Sequence, residues 1–156
     1  MASATTSIYH TYTLYAGSSA AGVPQINHEG GGGKFKVMFL TAAYTFDNEH
    51  SVEAQLTANE ADGTGGYTVG GEPIPNITYT LGSSGTSTFD GDNVVVTASG
   101  GDLSARYMAV IASANVSAER RPVMFFIDPG QVETAGDGTT FNVNWSADGI
   151  VQVKPG

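Results

Sequence analysis

The stretch from Leu103 to Asp128 constrains this chain most, because it can fold in few ways. It reads LSARYMAVIASANVSAERRPVMFFID, two apolar runs joined by small or polar residues. In the first run Ala105, Tyr107, Ala109 and Ile111 share one face at period two, with Met108 and Val110 on the other. In the second, Val123, Phe125 and Ile127 alternate with Met124 and Phe126. Runs this short, apolar on both faces and bounded by Asn, Ser, Glu and Pro, spell strands buried on two sides. A helix stays open for the first run, whereas Pro122 and Pro129 bracket the second too tightly for one. The pair predicts an antiparallel hairpin near the middle of a sheet.

A chain of 156 residues is most simply one domain with room for a core. Its 21 glycines and 13% charged residues, with many Thr, Ser and short apolar runs, point to an all-β protein rich in turns. The net charge of −9 repels phosphate backbones and argues against a nucleic-acid partner. No basic amphipathic segment or long apolar run suggests a membrane. With no cysteine, disulfides and thiolate metal sites are excluded. The opening MASATTSIYH lacks the basic and apolar regions of a secretory signal, so folding in the cytoplasm of the producing cell is expected.

Residues 1–33 differ from the rest. Ile8, His10, Tyr12 and Leu14 alternate with Tyr9, Thr11, Thr13 and Tyr15, after which the chain turns small and polar and ends in Gly30 to Gly33. This predicts an extended N-terminal arm on a Gly-rich linker, with residues 34–156 as the body. The alternative is an edge strand of the body's own sheet. In the body, Lys34 to Thr41 spells a strand, and Asp47, Asn48 or Ser51 caps one short helix carrying Val52, Ala54 and Leu56. Further strands are expected at Ile77 to Leu81, Thr86 to Phe89 and Asn93 to Ala98. Thr140 to Ser146 and Ile150 to Val153 follow, joined by Ala147-Asp148-Gly149. The container that suits them is an antiparallel β-sandwich or jelly-roll-like barrel.

Chemistry is thinly spelled. His10, His28 and His50 lie outside the confident core strands, and no G-x-S-x-G elbow accompanies them. Asp47, Glu49, Glu53, Glu60 and Asp62 crowd the expected helix, where glycoside hydrolysis would need a fixed carboxylate separation that spacing cannot supply. Phe89-Asp90-Gly91-Asp92-Asn93 offers oxygens to calcium but lacks the twelve-residue loop with its closing Glu. The sequence therefore predicts no catalytic residue, no cofactor and no metal. Arg120-Arg121, the only adjacent basic pair, suits an acidic partner surface. Ile8, Tyr9, Tyr12, Leu14 and Tyr15 on the arm are the other expected partner contacts. Trp145 is expected in the core beside Phe125 and Phe141.

From Phe35 onward the chain resembles a family of small structural proteins of tailed-bacteriophage virions. The likeness rests on Lys36-Val37-Met38-Phe39-Leu40-Thr41-Ala42-Ala43-Tyr44, on the Asn59 to Gly71 connector, and on Phe89-Asp90-Gly91-Asp92-Asn93-Val94. It continues through Ala105-Arg106-Tyr107 and Phe126-Ile127-Asp128 and closes on Phe141 to Ile150. The resemblance implies a non-enzymatic head-decoration (cement) protein on the outer surface of the capsid, assembled in the host bacterial cytoplasm. Its partner would be the major capsid protein, whose neighbouring capsomers it bridges and stabilises. A homo-oligomer, dimer or trimer, is expected from the apolar residues on both faces of several strands. The alternative is a tail- or fibre-associated receptor- or carbohydrate-binding module using tyrosines and Trp145.

Overall fold

The computed structural model describes residues 4–10, 34–82, 85–113 and 121–154. Among them the protein is all-β. Its strands are β1 (Thr5–Ile8), β2 (Phe35–Leu40), β3 (Glu72–Pro73), β4 (Thr78–Leu81), β5 (Ser87–Asp90) and β6 (Val94–Thr97). The second half contributes β7 (Leu103–Ala105), β8 (Tyr107–Ala112), β9 (Val123–Asp128), β10 (Glu133–Ala135), β11 (Thr140–Val143) and β12 (Val151–Val153). A five-stranded sheet runs β1-β9-β8-β2-β3, a three-stranded one β12-β5-β4, and β11-β6 and β10-β7 form two-stranded ladders. The predicted hairpin is β8–β9, and β8 is the central strand of the largest sheet.

Both faces of that sheet are covered, which is why its strands are apolar throughout. One face presents Val37, Phe39, Met108, Val110, Phe125 and Ile127 to Phe89, Val94, Val96, Leu103, Phe141 and Val143 of the smaller sheets. The other presents Met38, Leu40, Ala109, Ile111, Val123 and Phe126 to Tyr9, Tyr44 and Leu56. Strict alternation along β9 fails at one point. Val110 pairs with Phe125 but Ile111 with Val123, so Met124 is an extra residue, a β-bulge. The bulge puts Met124 and Phe125 into the same cluster and sends Val123 to the opposite one.

Three expectations are corrected. First, β1 pairs antiparallel with β9 from Thr5↔Asp128 to Ile8↔Phe125, so residues 4–10 are an edge strand of the body and not an arm. Tyr9 is fully buried, with its ring 5.1 Å from Phe46 and its hydroxyl 2.8 Å from the Tyr44 hydroxyl. Apolar burial and a strand ladder offset the entropy of ordering this segment. The remainder of residues 1–33 lies outside the described residues.

Second, the expected helix is two 3-10 turns, Glu53–Gln55 and Thr57–Asn59. Val52 bridges Pro122 and Glu60 bridges Leu40, so both ends of the segment are held extended against the body. The Gln55 side-chain oxygen accepts the Ser51 and Val52 amides at 2.7 and 3.1 Å, closing the first turn early. Third, the strand expected over Thr140 to Ser146 stops at Val143. β11 pairs with β6 and β12 with β5, so residues 144–150 carry the chain from one sheet to another.

Candidate functional site

The sheet change after β11 creates a groove of about 460 Å³. One wall comes from Thr6 of β1 and from Gln131 and Glu133 beyond β9; the other comes from Asn142 to Ser146. Met108, Ile127, Val143 and Ile150 give it an apolar floor, each of them mostly buried.

Trp145, expected in the core beside Phe125 and Phe141, does pack against their cluster but stands at its edge, beside this groove. It is partly buried, packed on the larger cluster while also lining the groove. Two hydrogen bonds explain why β11 stops short of it. The Trp145 amide donates to Asn93 Oδ1 at 2.9 Å, and its indole N–H donates to the Asp92 carbonyl at 2.9 Å. The Asp92 carboxylate accepts from Asn76 Nδ2 at 2.6 Å, and the Asp92 amide donates to Pro75 O at 2.9 Å. The Asp90-Gly91-Asp92-Asn93 turn, a candidate for calcium by composition, is thus the bracket that orients the indole. No group of three or more His, Asp or Glu among the described residues is arranged to hold a metal ion.

On the far side Gly149 closes the groove. Its φ of 91° lies in the left-handed region, and a Cβ there would sit 2.8 Å from Thr88 Cγ2 and 2.9 Å from Phe89 O. Only glycine lets the chain lie this close to β5.

The carboxylates and histidines raised by the sequence serve other purposes. Glu53, almost wholly buried, accepts two 3.0 Å bonds from Arg121 Nη1, one at each carboxylate oxygen. Glu60 Oε1 accepts the Tyr67 hydroxyl and the Gly70 amide, both at 2.6 Å. Burial pushes the Tyr67 phenol well above its usual range, and the bond to Glu60 adds to this. Burial likewise raises Tyr9 and Tyr44. His50 Nδ1 shares a 2.9 Å hydrogen bond with the Tyr44 hydroxyl, and His10 Nδ1 lies 2.8 Å from Glu49 Oε1. His28 lies outside the described residues. Thr64 donates to Asp62, which holds that carboxyl below its usual range. These groups act as separate clasps on the 44–70 segment, Tyr67 on one face of the main sheet and Tyr9 and Tyr44 on the other.

Of the expected partner contacts, Ile8 is 40% exposed on β1, whereas Tyr9 is buried and Arg121 is tied to Glu53. Both belong to the fold's own contacts, because strand β1 and the 3-10 segment are laid on the body. Tyr12, Leu14, Tyr15 and Arg120 lie outside the described residues. Sequence reasoning missed the groove residues Gln131, Asn142 and Asn144. The alternation of Asn142, Asn144 and Ser146 does mark a wet or partner-covered face, but it gives no sign that Trp145 would stand at the edge of the core and join it. Against known proteins, no family model matches this chain, and neither a curated protein nor a solved structure matches it.

Proposed function

We propose that this chain is a non-enzymatic virion structural protein, most specifically a head-decoration protein that binds the outside of a capsid. In this reading a β-sandwich-like body bridges neighbouring capsomers and acts as a dimer or trimer against the major capsid protein. The observation that supports it is the β4–β5 hairpin. From Pro73 to Phe89 the sequence carries no charged side chain, in a chain of net charge −9. Every residue of β4 is exposed, with Leu81 at 72% and Tyr79 at 48%. Natural outer strands are guarded by charge, proline or bulges, and β4 has none of these along Thr78–Leu81. An apolar, uncharged projection on an acidic body is suited to contact with another protein surface.

The resemblance adds the context. Its segments fall on β2, β9 and β11 and on the bracket turn at Asp90 to Asn93, which are the parts that build the body. Labelling this chain on purified particles and imaging them tests the reading. Density spread symmetrically over the whole head is the expected result, and density confined to the tail would end it.

A further inference from the structure

We infer that the groove beside Trp145 is a binding site for a neutral saccharide. Its volume of about 460 Å³ lies within the ~300–1,000 Å³ typical of small-ligand pockets. The indole N–H is already bonded to the Asp92 carbonyl, so what Trp145 offers a ligand is ring surface, held in one orientation by that bond and by Asn93. Such a surface suits the C–H face of a sugar ring.

The polar groups select further. Gln131 Nε2 donates to Glu133 Oε1 at 2.9 Å, and Asn142 Nδ2 donates to Thr140 Oγ1 at 3.1 Å. Each amide thus spends an N–H on a neighbour, and both side chains stand at exposed positions lining the groove. A rim of amides and one carboxylate pairs with a ligand rich in hydroxyls, which both donate and accept. Among the described residues no Lys or Arg lines the groove and Glu133 does, so an anionic ligand is repelled. A polyol with apolar C–H faces satisfies the apolar floor, the aromatic wall and the amide rim together. The inference is independent of where on a particle the chain sits, so it stands or falls separately from the decoration reading.

Trp145 is the only tryptophan, so emission excited selectively at the indole, beyond the absorption of the tyrosines, reports on the surroundings of this one side chain. The full-length protein is titrated with maltotriose, cellotriose and N,N′,N″-triacetylchitotriose, with spermidine as a cationic control. The expected result is a saturable emission change with at least one saccharide in the millimolar range or tighter. The Gln131→Ala/Asn142→Ala variant, altered at two exposed positions, should keep its melting temperature and weaken that saccharide by about tenfold or more. Three outcomes overturn the inference: no saturable change with any of the three sugars, an undiminished response in the variant, or a response to spermidine that matches or outcompetes the sugars.

Discussion

Tyr9 decides whether the N-terminal segment is an appendage or part of the core. Its side chain is wholly buried against Phe46 and the Met38, Leu40 and Phe126 face, and its hydroxyl meets Tyr44, which also bonds His50. Replacing a large buried aromatic with alanine costs about 3–5 kcal/mol, from lost transfer energy and the cavity left behind. For a chain of this length each kcal/mol lowers the melting temperature by roughly 2–4 °C, so Tyr9→Ala should melt roughly 6–20 °C earlier. Tyr9→Phe keeps the ring and loses one hydrogen bond, for about 0.5–1.5 kcal/mol, because Tyr44 retains His50. Deleting residues 1–10 removes the β1–β9 ladder as well and should cost at least as much as the alanine change. Urea unfolding followed through Trp145 reads all three, with the slope unchanged for the point variants if only stability has moved. A truncated protein with the wild-type midpoint would refute the reasoning and return the segment to the status of a detachable arm.

Three further outcomes are expected. Arg121→Ala leaves the Glu53 carboxylate, whose side chain is only 3% exposed, without its guanidinium; this should cost about 3–5 kcal/mol in the same urea assay, with Glu53→Ala costing less because the Arg121 side chain is 26% exposed and reaches water. Tyr9, Tyr44 and Tyr67 have folded-state phenols raised above the unfolded value of about 10, so their stabilisation is intact below pH ~10 and is lost above it. Tyr9 and Tyr67 should each take off about 1.4 kcal/mol per pH unit as the unfolded chain ionises first, with Tyr44 adding in the same direction, which melting curves from pH 8 to 12 would show, and a flat profile would contradict. Leu81→Lys places a charge on the uncharged hairpin and should shift light scattering toward smaller species and weaken particle attachment without lowering the melting temperature.

The parts of the fold legible in the sequence are those fixed by local pattern. The β8–β9 hairpin follows from two runs that are apolar on both faces, and β2 from its alternating Phe35, Val37 and Phe39. What was not legible depends on contacts distant in the chain. The bulge at Met124 leaves no local mark, because every residue around it is apolar and either register buries a similar surface. The 44–60 segment looks helical by capping residues and propensity, but its ends are held by Pro122 and Leu40, and that tertiary pairing overrides propensity. Tyr9 reads as the tip of an arm because glycines follow it later, whereas its burial depends on Tyr44 and Phe46.

The candidate site was the least legible because it arises from a change of sheet and not from a motif. Phe141, Asn142 and Val143 alternate as a strand, and continuing that pattern would place Trp145 inward. The Asp92-Asn93 turn instead captures its amide and indole N–H, two donors that β11 pairing and a dry core would have left to other partners. Once the chain has left β6, it must reach β5, and Gly149 allows the close approach that Ile150 completes by donating to Phe89 O at 2.9 Å. The indole is then covered on its core side and open toward the groove. The Asp92-Asn93 turn and the Gly149 approach that close the body therefore hold its one tryptophan at the surface, and the stability of the body and the shape of the groove are set by the same residues.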